Sequence, residues 1–355
     1  MKIRENYNLS KLNTLAINAE ALFFTEISST EELQELFALP EFRQNKKMFL
    51  GSGSNVLFTK NFDGLVVKIS VLGKKVLAKN NSTVLLEVGA GENWHDLVTY
   101  AVDNNWGGIE NLALIPGTVG AAPVQNIAAY GENFSDVFES LDAFNVETGK
   151  IEQFNKQECK FGYRESVFKK ELKGKYIILK VRIRLSVSPK IEDSYYQIGI
   201  TRNSIKEELD KISLSSHTIK DVYQAVINIR SRKLPDPAKI PNIGSFFLNA
   251  VVSRKKYEEL KKQDPELQCY PPDQLYYKDS IENEDFVKIA TGRLLQNLGW
   301  LGKWMGNVGI HDKHALIIVT NGKATGEEVV KFSELVKQSC FDRYGIKLET
   351  EVNLI

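Results

Sequence analysis

Two glycine-rich stretches carry the first chemical suggestion in this chain. "GSGSNVLF", Gly51 to Phe58, follows the strand-like run "KMFL", and "IPGTVGAAPVQNIAAYG", Ile115 to Gly131, is built mostly of small residues. Glycine-rich backbone after a strand can point several N–H groups at one phosphate, and glycines at 51 and 53 permit the left-handed dihedrals of such a nest. A Rossmann fingerprint fails on context. Val56 replaces the third glycine, and another strand begins near Gly64, leaving no room for a crossover helix. Alone, this loop reads equally as a plain turn. In the second stretch Gly117, Gly120, Ala121, Ala122, Ala128 and Ala129 let a flat ligand lie against main chain, with Thr118, Gln125 and Asn126 to bond a polar ring edge. Close packing between elements asks for the same small residues. Together the two loops suit an extended dinucleotide, with pyrophosphate at one and a ring system at the other.

The elements that must position these loops alternate between strand and helix. "STEELQELF" places Ser29 and Glu32 in capping-box register. "KMFL" and "GLVVKIS" read as strands, and "TVLLEVGAGENWHDLVTYAVDNNWGG" as strand, glycine turn and helix. "LKVRIRL" puts Leu179, Val181, Ile183 and Leu185 on one face and Lys180, Arg182 and Arg184 on the other. From Ser186 to His217 polar residues dominate, as in a connection. A helix follows over Ile219 to Arg230, stopped by the prolines of "LPDPAKIP". Further helices are expected around Ser253 to Gln263 and Glu284 to Leu298. The strand "ALIIVT" leads through Asn321-Gly322 into a helix with Thr325 and Glu328 in capping register, and "IKLETEVNLI" closes as an alternating strand.

Composition bounds the partners. The chain has 355 residues, 43% hydrophobic and 26% charged, as expected of a globular protein of two or three domains. Lys plus Arg (46) balances Asp plus Glu (45), for a formal charge of +1, so no global field recruits nucleic acid or membrane and any anion must be met by local cations. No run of about 18 apolar residues and no signal-like N-terminal core occurs, so a cytoplasmic protein is expected. Cys159, Cys269 and Cys340 are scattered, which supports neither a disulfide framework nor a zinc site.

"GSGSNVL", "IPGTVGAAPVQNIAAYG", "CKFGYRESVF", "KLPDP" and "GSFFLN", in this order and spacing, closely resemble the UDP-N-acetylenolpyruvoylglucosamine reductase family, flavoproteins of bacterial peptidoglycan precursor synthesis. The resemblance runs from about Asn13 to the C-terminus. It implies an α+β chain with the FAD-binding fold of vanillyl-alcohol-oxidase-type (PCMH-type) flavoproteins in two subdomains, 1–72 and 73–225, the latter receiving the returning strand 345–355. It also implies a third α+β domain, 226–344, for a UDP-sugar. FAD is expected to be non-covalent, NADPH to be the reductant, and the protein to be a monomer acting on small molecules. In the family, hydride passes from NADPH to flavin N5 and then to the enolpyruvyl methylene carbon, yielding UDP-N-acetylmuramate.

The resemblance also assigns residues. Arg164 in "GYRES" matches the arginine that holds the substrate carboxylate, Ser245 in "GSFF" the proton donor, and Glu351 in "LETEV" the catalytic glutamate, which must carry or share a proton to assist an enolate. FAD is assigned to Gly51, Ser52, Gly53, Ser54 and Asn55, to Ile115, Pro116, Gly117, Thr118, Gly120, Gln125, Asn126 and Tyr130, and to Tyr163 and Arg230. The sugar nucleotide is assigned to Tyr196, Lys233, Asn249, Tyr270 and His314, the two tyrosines being those of the longer subclass, with Tyr195 competing for the register of Tyr196. Departures from the family are Leu248 and Ala250 for a lysine and a proline, His314 for a glutamine, and Gln296 and Leu301 for an aspartate and a lysine, with Lys303 placed to substitute. They bear on nucleotide affinity more than on chemistry. His311 and His314 lack the partners of a metal site. Two alternatives stand beside the reductase: another oxidase on the same flavin scaffold, and a flavin- or nucleotide-binding regulator without turnover.

Overall fold

Alternation along Tyr176–Ser186 builds the centre of the N-terminal part of the chain. Leu179, Val181, Ile183 and Leu185 are buried, while the opposite face is an ion-pair ladder in which Arg182 joins Asp142 (2.6 Å) to Glu87 (2.8 Å) and Arg184 meets Glu139 (2.8 Å). The strand lies third in an antiparallel sheet ordered Ile151–Asn155, Phe138–Asn145, Tyr176–Ser186, Thr83–Gly89, Lys74–Lys79. A second sheet runs Arg4–Asn8, Glu20–Ile27, Phe62–Ile69, Lys47–Leu50, its last pair parallel. The connection between those parallel strands holds the glycine-rich loop and the short strand Val56–Leu57. Both sheets feed one core, in which Ile27, Leu65 and Val67 join Leu86, Val88 and Leu141, together with Trp94 and Leu97 of the helix Trp94–Asp103. Asn93 starts that helix by accepting the Asp96 N–H.

This computed structural model describes residues 1–189, 191, 205–212, 217–270 and 285–355. It divides into two compact units, the first of Met1–Tyr7, Ala21–Ser52 and Asp63–Arg230, the second of Asn8–Glu20, Gly53–Phe62 and Ser231–Ile355. In the second unit a sheet runs Asn242–Ser245, Ile317–Thr320, Val308–Ile310, Trp304–Met305, beside a smaller sheet of Val251–Ser253, Phe286–Ile289 and Cys269–Tyr270. The helices Arg254–Gln263, Thr291–Asn297 and Gly326–Tyr344 complete it. Trp300 locks the longest of them, packing edge-on to Phe332 and donating to Ser339 Oγ (2.7 Å). No helix among the described residues is long and apolar enough to cross a membrane.

Capping signals located the helices well. Ser253 and Thr325 cap theirs, and Thr325 and Glu328 form the reciprocal box. The Ile219 helix runs three residues further than expected, to Lys233, before Leu234-Pro235 ends it. Three expectations are corrected. Phe286–Ile289 is a strand rather than the start of a helix from Glu284, because Val287 and Ile289 bury one face against two partner strands; the helix begins at Thr291. The expected connection after Ser186 contains a helix, Ile205–Ile212, whose Ile205 and Leu209 reach the core. The C-terminal segment is not one strand. Its pairing passes from residues 246–248 to Val56–Leu57, so its last strand, Asn353–Leu354, joins the glycine-rich loop's own segment.

Candidate active site

In the first unit, the small-residue stretch is laid along the glycine turn before the Trp94 helix. Trp94 N–H donates to the Gly117 carbonyl (3.1 Å), Val119 N–H to Glu92 (2.8 Å) and Gly120 N–H to Ala90 (2.8 Å). A Cβ on Gly120 would lie 2.5 Å from that of Ala90, and one on Gly51 would lie 2.6 Å from Thr118 Oγ1. At these two positions the bare backbone is demanded by the chain itself, so a flat ligand is not the whole reason for the small residues. The path is turned by left-handed residues, Leu114 (φ 57°), Asn126 (φ 42°) and Tyr130 (φ 49°), and Arg164 (φ 54°) shares the conformation. Non-glycine residues held there mark sites where surrounding structure over-determines the backbone.

Asn126 shows how the stretch is braced. It is buried, its Nδ2 donates to the Gly162 carbonyl (3.1 Å), and its Oδ1 accepts the Ser135 N–H (3.0 Å). Its side chain therefore ties the stretch to the turn that carries Tyr163 and Arg164, leaving its backbone for a ligand. Asn126→Ala strands two buried backbone groups and is expected to lower stability by about 2 kcal/mol or more. A fall in the urea midpoint at unchanged m-value would show this.

Three side chains of the sequence assignment meet in this unit. Arg164 Nη2 donates to the Ala128 carbonyl (2.7 Å) and its guanidinium lies over Tyr163 (5.7 Å). Arg230 Nη2 donates to the Leu114 carbonyl (3.3 Å), and Tyr130 bonds the same guanidinium. Burial pulls Arg230 below its ordinary range, Tyr130 opposes that, and the nearby Arg164 charge adds to it. Two crowded guanidinium groups repel, and an anion placed on them relieves the repulsion. Arg230 Nε is buried without a hydrogen-bond partner among the described residues, a donor that a ligand acceptor would satisfy. With the turned backbone, this fits a flavin dinucleotide. Ile115, Gln125 and Tyr163 are half-buried, and Pro116 is exposed.

In the second unit, Gly53 is buried at φ 69°, where a Cβ would lie 1.9 Å from the Leu12 carbonyl. Asn13, which the sequence reading did not single out, organises the segment facing it. Its side chain donates to Leu9 and Ile17 carbonyls and accepts the Ile17 N–H, each at 2.9 Å, and Thr14 N–H then bonds the Gly53 carbonyl (3.3 Å). From the other side Asn353 gives its N–H (3.2 Å) and Nδ2 (3.1 Å) to the Asn55 carbonyl. Ser54 is half-buried, and Ser52, in the first unit, is exposed.

Ser245 ends the strand Asn242–Ser245, where Asn242 pairs with Val319 but Ser245 with Ile317, a bulge centred on Gly244 at φ 71°. Such bulges re-aim side chains beside sites. Asn242, also missed from sequence, is buried, accepts the Gly244 N–H (3.0 Å) and donates to Pro235 (3.2 Å) and Ile240 (2.8 Å), fixing the proline loop and the bulge together. Glu351 N–H donates to the Phe246 carbonyl (2.9 Å), so the half-buried Glu351 is brought opposite the residue after Ser245. Asn249 Oδ1 accepts the Thr291 N–H (3.2 Å), Tyr270 donates to Gln268 (3.0 Å), and Lys233 is the last residue of its helix. Lys303 lies over the Trp300 ring (4.5 Å). His311 Nδ1 takes the Lys313 N–H (3.3 Å), and His314 is half-buried. No group of three metal-ligating side chains occurs among the described residues. Tyr195 and Tyr196 lie outside the described residues.

The FAD binding domain family matches residues 21–155, and the UDP-N-acetylenolpyruvoylglucosamine reductase C-terminal domain family matches residues 236–355. With the expected α+β architecture, this defines a flavin-dependent oxidoreductase with its own C-terminal domain. UDP-N-acetylenolpyruvoylglucosamine reductase of Flavobacterium johnsoniae is 42% identical over 100% of both chains, and that of Amoebophilus asiaticus 40% identical over 100% of both. The crystal structure of the reductase from Thermus caldophilus, 19% identical, superposes with a TM-score of 0.65 over 99% of this chain and 98% of that one. The chain belongs to the UDP-N-acetylenolpyruvoylglucosamine reductase family.

Proposed function

We infer that this protein reduces UDP-N-acetylglucosamine enolpyruvate to UDP-N-acetylmuramate with NADPH and FAD, a step in peptidoglycan precursor synthesis. The observation that carries it is the gathering of Arg164, Arg230 and Tyr130 on the flavin stretch in a chain whose whole length aligns with the family. When bound, FAD supplies hydride transfer between NADPH and the enolpyruvyl group. Residues 51–55, 115–118, 120, 125, 126, 130, 163 and 230 would hold it, the guanidinium of Arg230 meeting acceptor atoms and the turned backbone offering a flat seat.

The chain's own residues then do three things. Arg164, permanently charged and braced on Ala128, holds the substrate carboxylate as charge develops beside it. Glu351, protonated in this role, supports the same charge without opposing it. Ser245, aimed by the bulge at Gly244, gives a proton to the carbon next to the carboxylate, a carbanion being basic enough to take it from a hydroxyl. Lys233, Asn249, Tyr196, Tyr270 and His314 are assigned to the nucleotide-sugar. The three-part division at 72/73 and 225/226 and a cytoplasmic, monomeric enzyme belong to the same reading. The polarity of both substrates supports the location, and the balanced charge argues against nucleic acid. Steady-state NADPH oxidation that depends on the enolpyruvyl sugar, with product two mass units heavier, is the expected result. NADPH oxidation indifferent to the sugar would defeat it.

A further inference from the structure

Leu114, the residue before "IPG", is gripped at both ends of its backbone. His95 Nδ1 accepts its N–H (3.2 Å), and Arg230 Nη2 donates to its carbonyl (3.3 Å). It needs the grip, because φ 57° is a conformation that a bulky residue adopts only under constraint. His95 is the second residue of the helix Trp94–Asp103, and its ring is oriented by its surroundings. It stacks on Tyr223 (5.9 Å, 15°), whose hydroxyl bonds Thr99 Oγ1 (2.7 Å), and Thr99 Oγ1 donates to the His95 carbonyl (3.0 Å). An Nδ1 that accepts a backbone N–H belongs to a neutral imidazole carrying its proton on Nε2.

We propose that His95 is a positioning residue for the flavin: neutral, it pairs with Arg230 to lock Leu114 in the left-handed turn that aims residues 115–118, and protonation of Nδ1 releases that turn. This rests on the flavin reading given above. Protonation removes the lone pair that accepts the Leu114 N–H and sets a second cation near Arg230. Among the described residues, the groups facing the ring are Arg230 and Tyr223 from the helix Ile219–Lys233, and Asp96 from its own helix, which is exposed and therefore screened. Burial first, and Arg230 with it, hold the imidazole below its ordinary range, while Asp96 opposes them. A histidine depressed in the folded state therefore keeps its neutral-form interaction through the ordinary imidazole range and loses it as pH falls below that range, through its own lowered pKa.

The test measures flavin released from diluted holoenzyme through a size-exclusion membrane between about pH 8 and about pH 5. Wild type should lose about tenfold or more in flavin affinity over that span, one charge-sensitive hydrogen bond being worth that much. His95→Asn, which keeps an acceptor at the Nδ1 position but cannot titrate, should hold flavin within about threefold of wild type at the upper pH and lose little at the lower. His95→Ala should be about tenfold weaker throughout. A His95→Asn enzyme that follows the wild-type pH curve, or a His95→Ala enzyme that holds flavin as tightly as wild type, would overturn the inference while leaving the flavin reading intact. A wild-type protein purified without flavin at any pH would overturn both. If His95→Ala does not fold, the comparison of wild type with His95→Asn decides alone.

Discussion

Ser245→Ala enzyme is expected to be reduced by NADPH at the wild-type rate and to pass its hydride to the enolpyruvyl sugar about 10²- to 10⁴-fold more slowly, the range that a positioned proton donor contributes. The asymmetry is the informative part. A serine hydroxyl cannot matter to reduction of the cofactor, whereas the carbon beside the carboxylate must receive a proton for the second transfer to be completed. The structure makes the substitution a clean one. Ser245 is half-buried at the end of its strand, its position is set by the bulge at Gly244 and by the buried Asn242, and alanine disturbs neither. Single-turnover kinetics of the two half-reactions, run separately, measure the effect. Equal slowing of both would instead indicate a displaced cofactor.

Arg164→Lys should lower kcat by about 10²-fold while flavin content stays near that of wild type. Lysine keeps the positive charge and tolerates φ 54° no worse than arginine does, so the backbone turn survives. What it lacks is the planar five-donor guanidinium that gives Nη2 to the Ala128 carbonyl at 2.7 Å, a geometry that an ammonium at the end of a flexible stem cannot reproduce. Because the charge on the substrate grows toward the transition state, the loss should appear in kcat more than in KM. Steady-state kinetics with flavin quantified in the same samples separates this from cofactor loss. A change confined to KM would show that Arg164 contributes only uniform binding.

The parts of this molecule that were legible in the sequence are those whose causes are local. Thr325 and Glu328 cap their own helix, Leu179 to Leu185 alternate because one face is buried, and the prolines after Lys233 stop the helix within two residues. Phe286–Ile289 was misread because a short apolar run has no period of its own; only its two partner strands make it a strand. The C-terminal segment shows the same limit, since its pairing changes partners along its length. The braces of the site were invisible for a related reason. Asn13, His95 and Asn242 work on backbone groups that are brought to them by the fold, as does the side chain of Asn126, which the sequence assigns to the ligand, and no spacing in the sequence announces that His95 will meet Leu114. The roles of Arg164, Ser245 and Glu351 came from the family resemblance. As isolated residues they read as a surface cation, a turn serine and a strand glutamate.

Anaerobic sequential-mixing absorbance follows the passage of hydride through the flavin to the sugar nucleotide. Holoenzyme is first mixed with one equivalent of NADPH and then with UDP-N-acetylglucosamine enolpyruvate. The flavin band is expected to bleach in the first step and return rapidly in the second, with UDP-N-acetylmuramate formed in equal amount. A reduced flavin that persists in the presence of the sugar nucleotide, and returns only when oxygen is admitted, would contradict this expectation and point to an oxidase on the same scaffold.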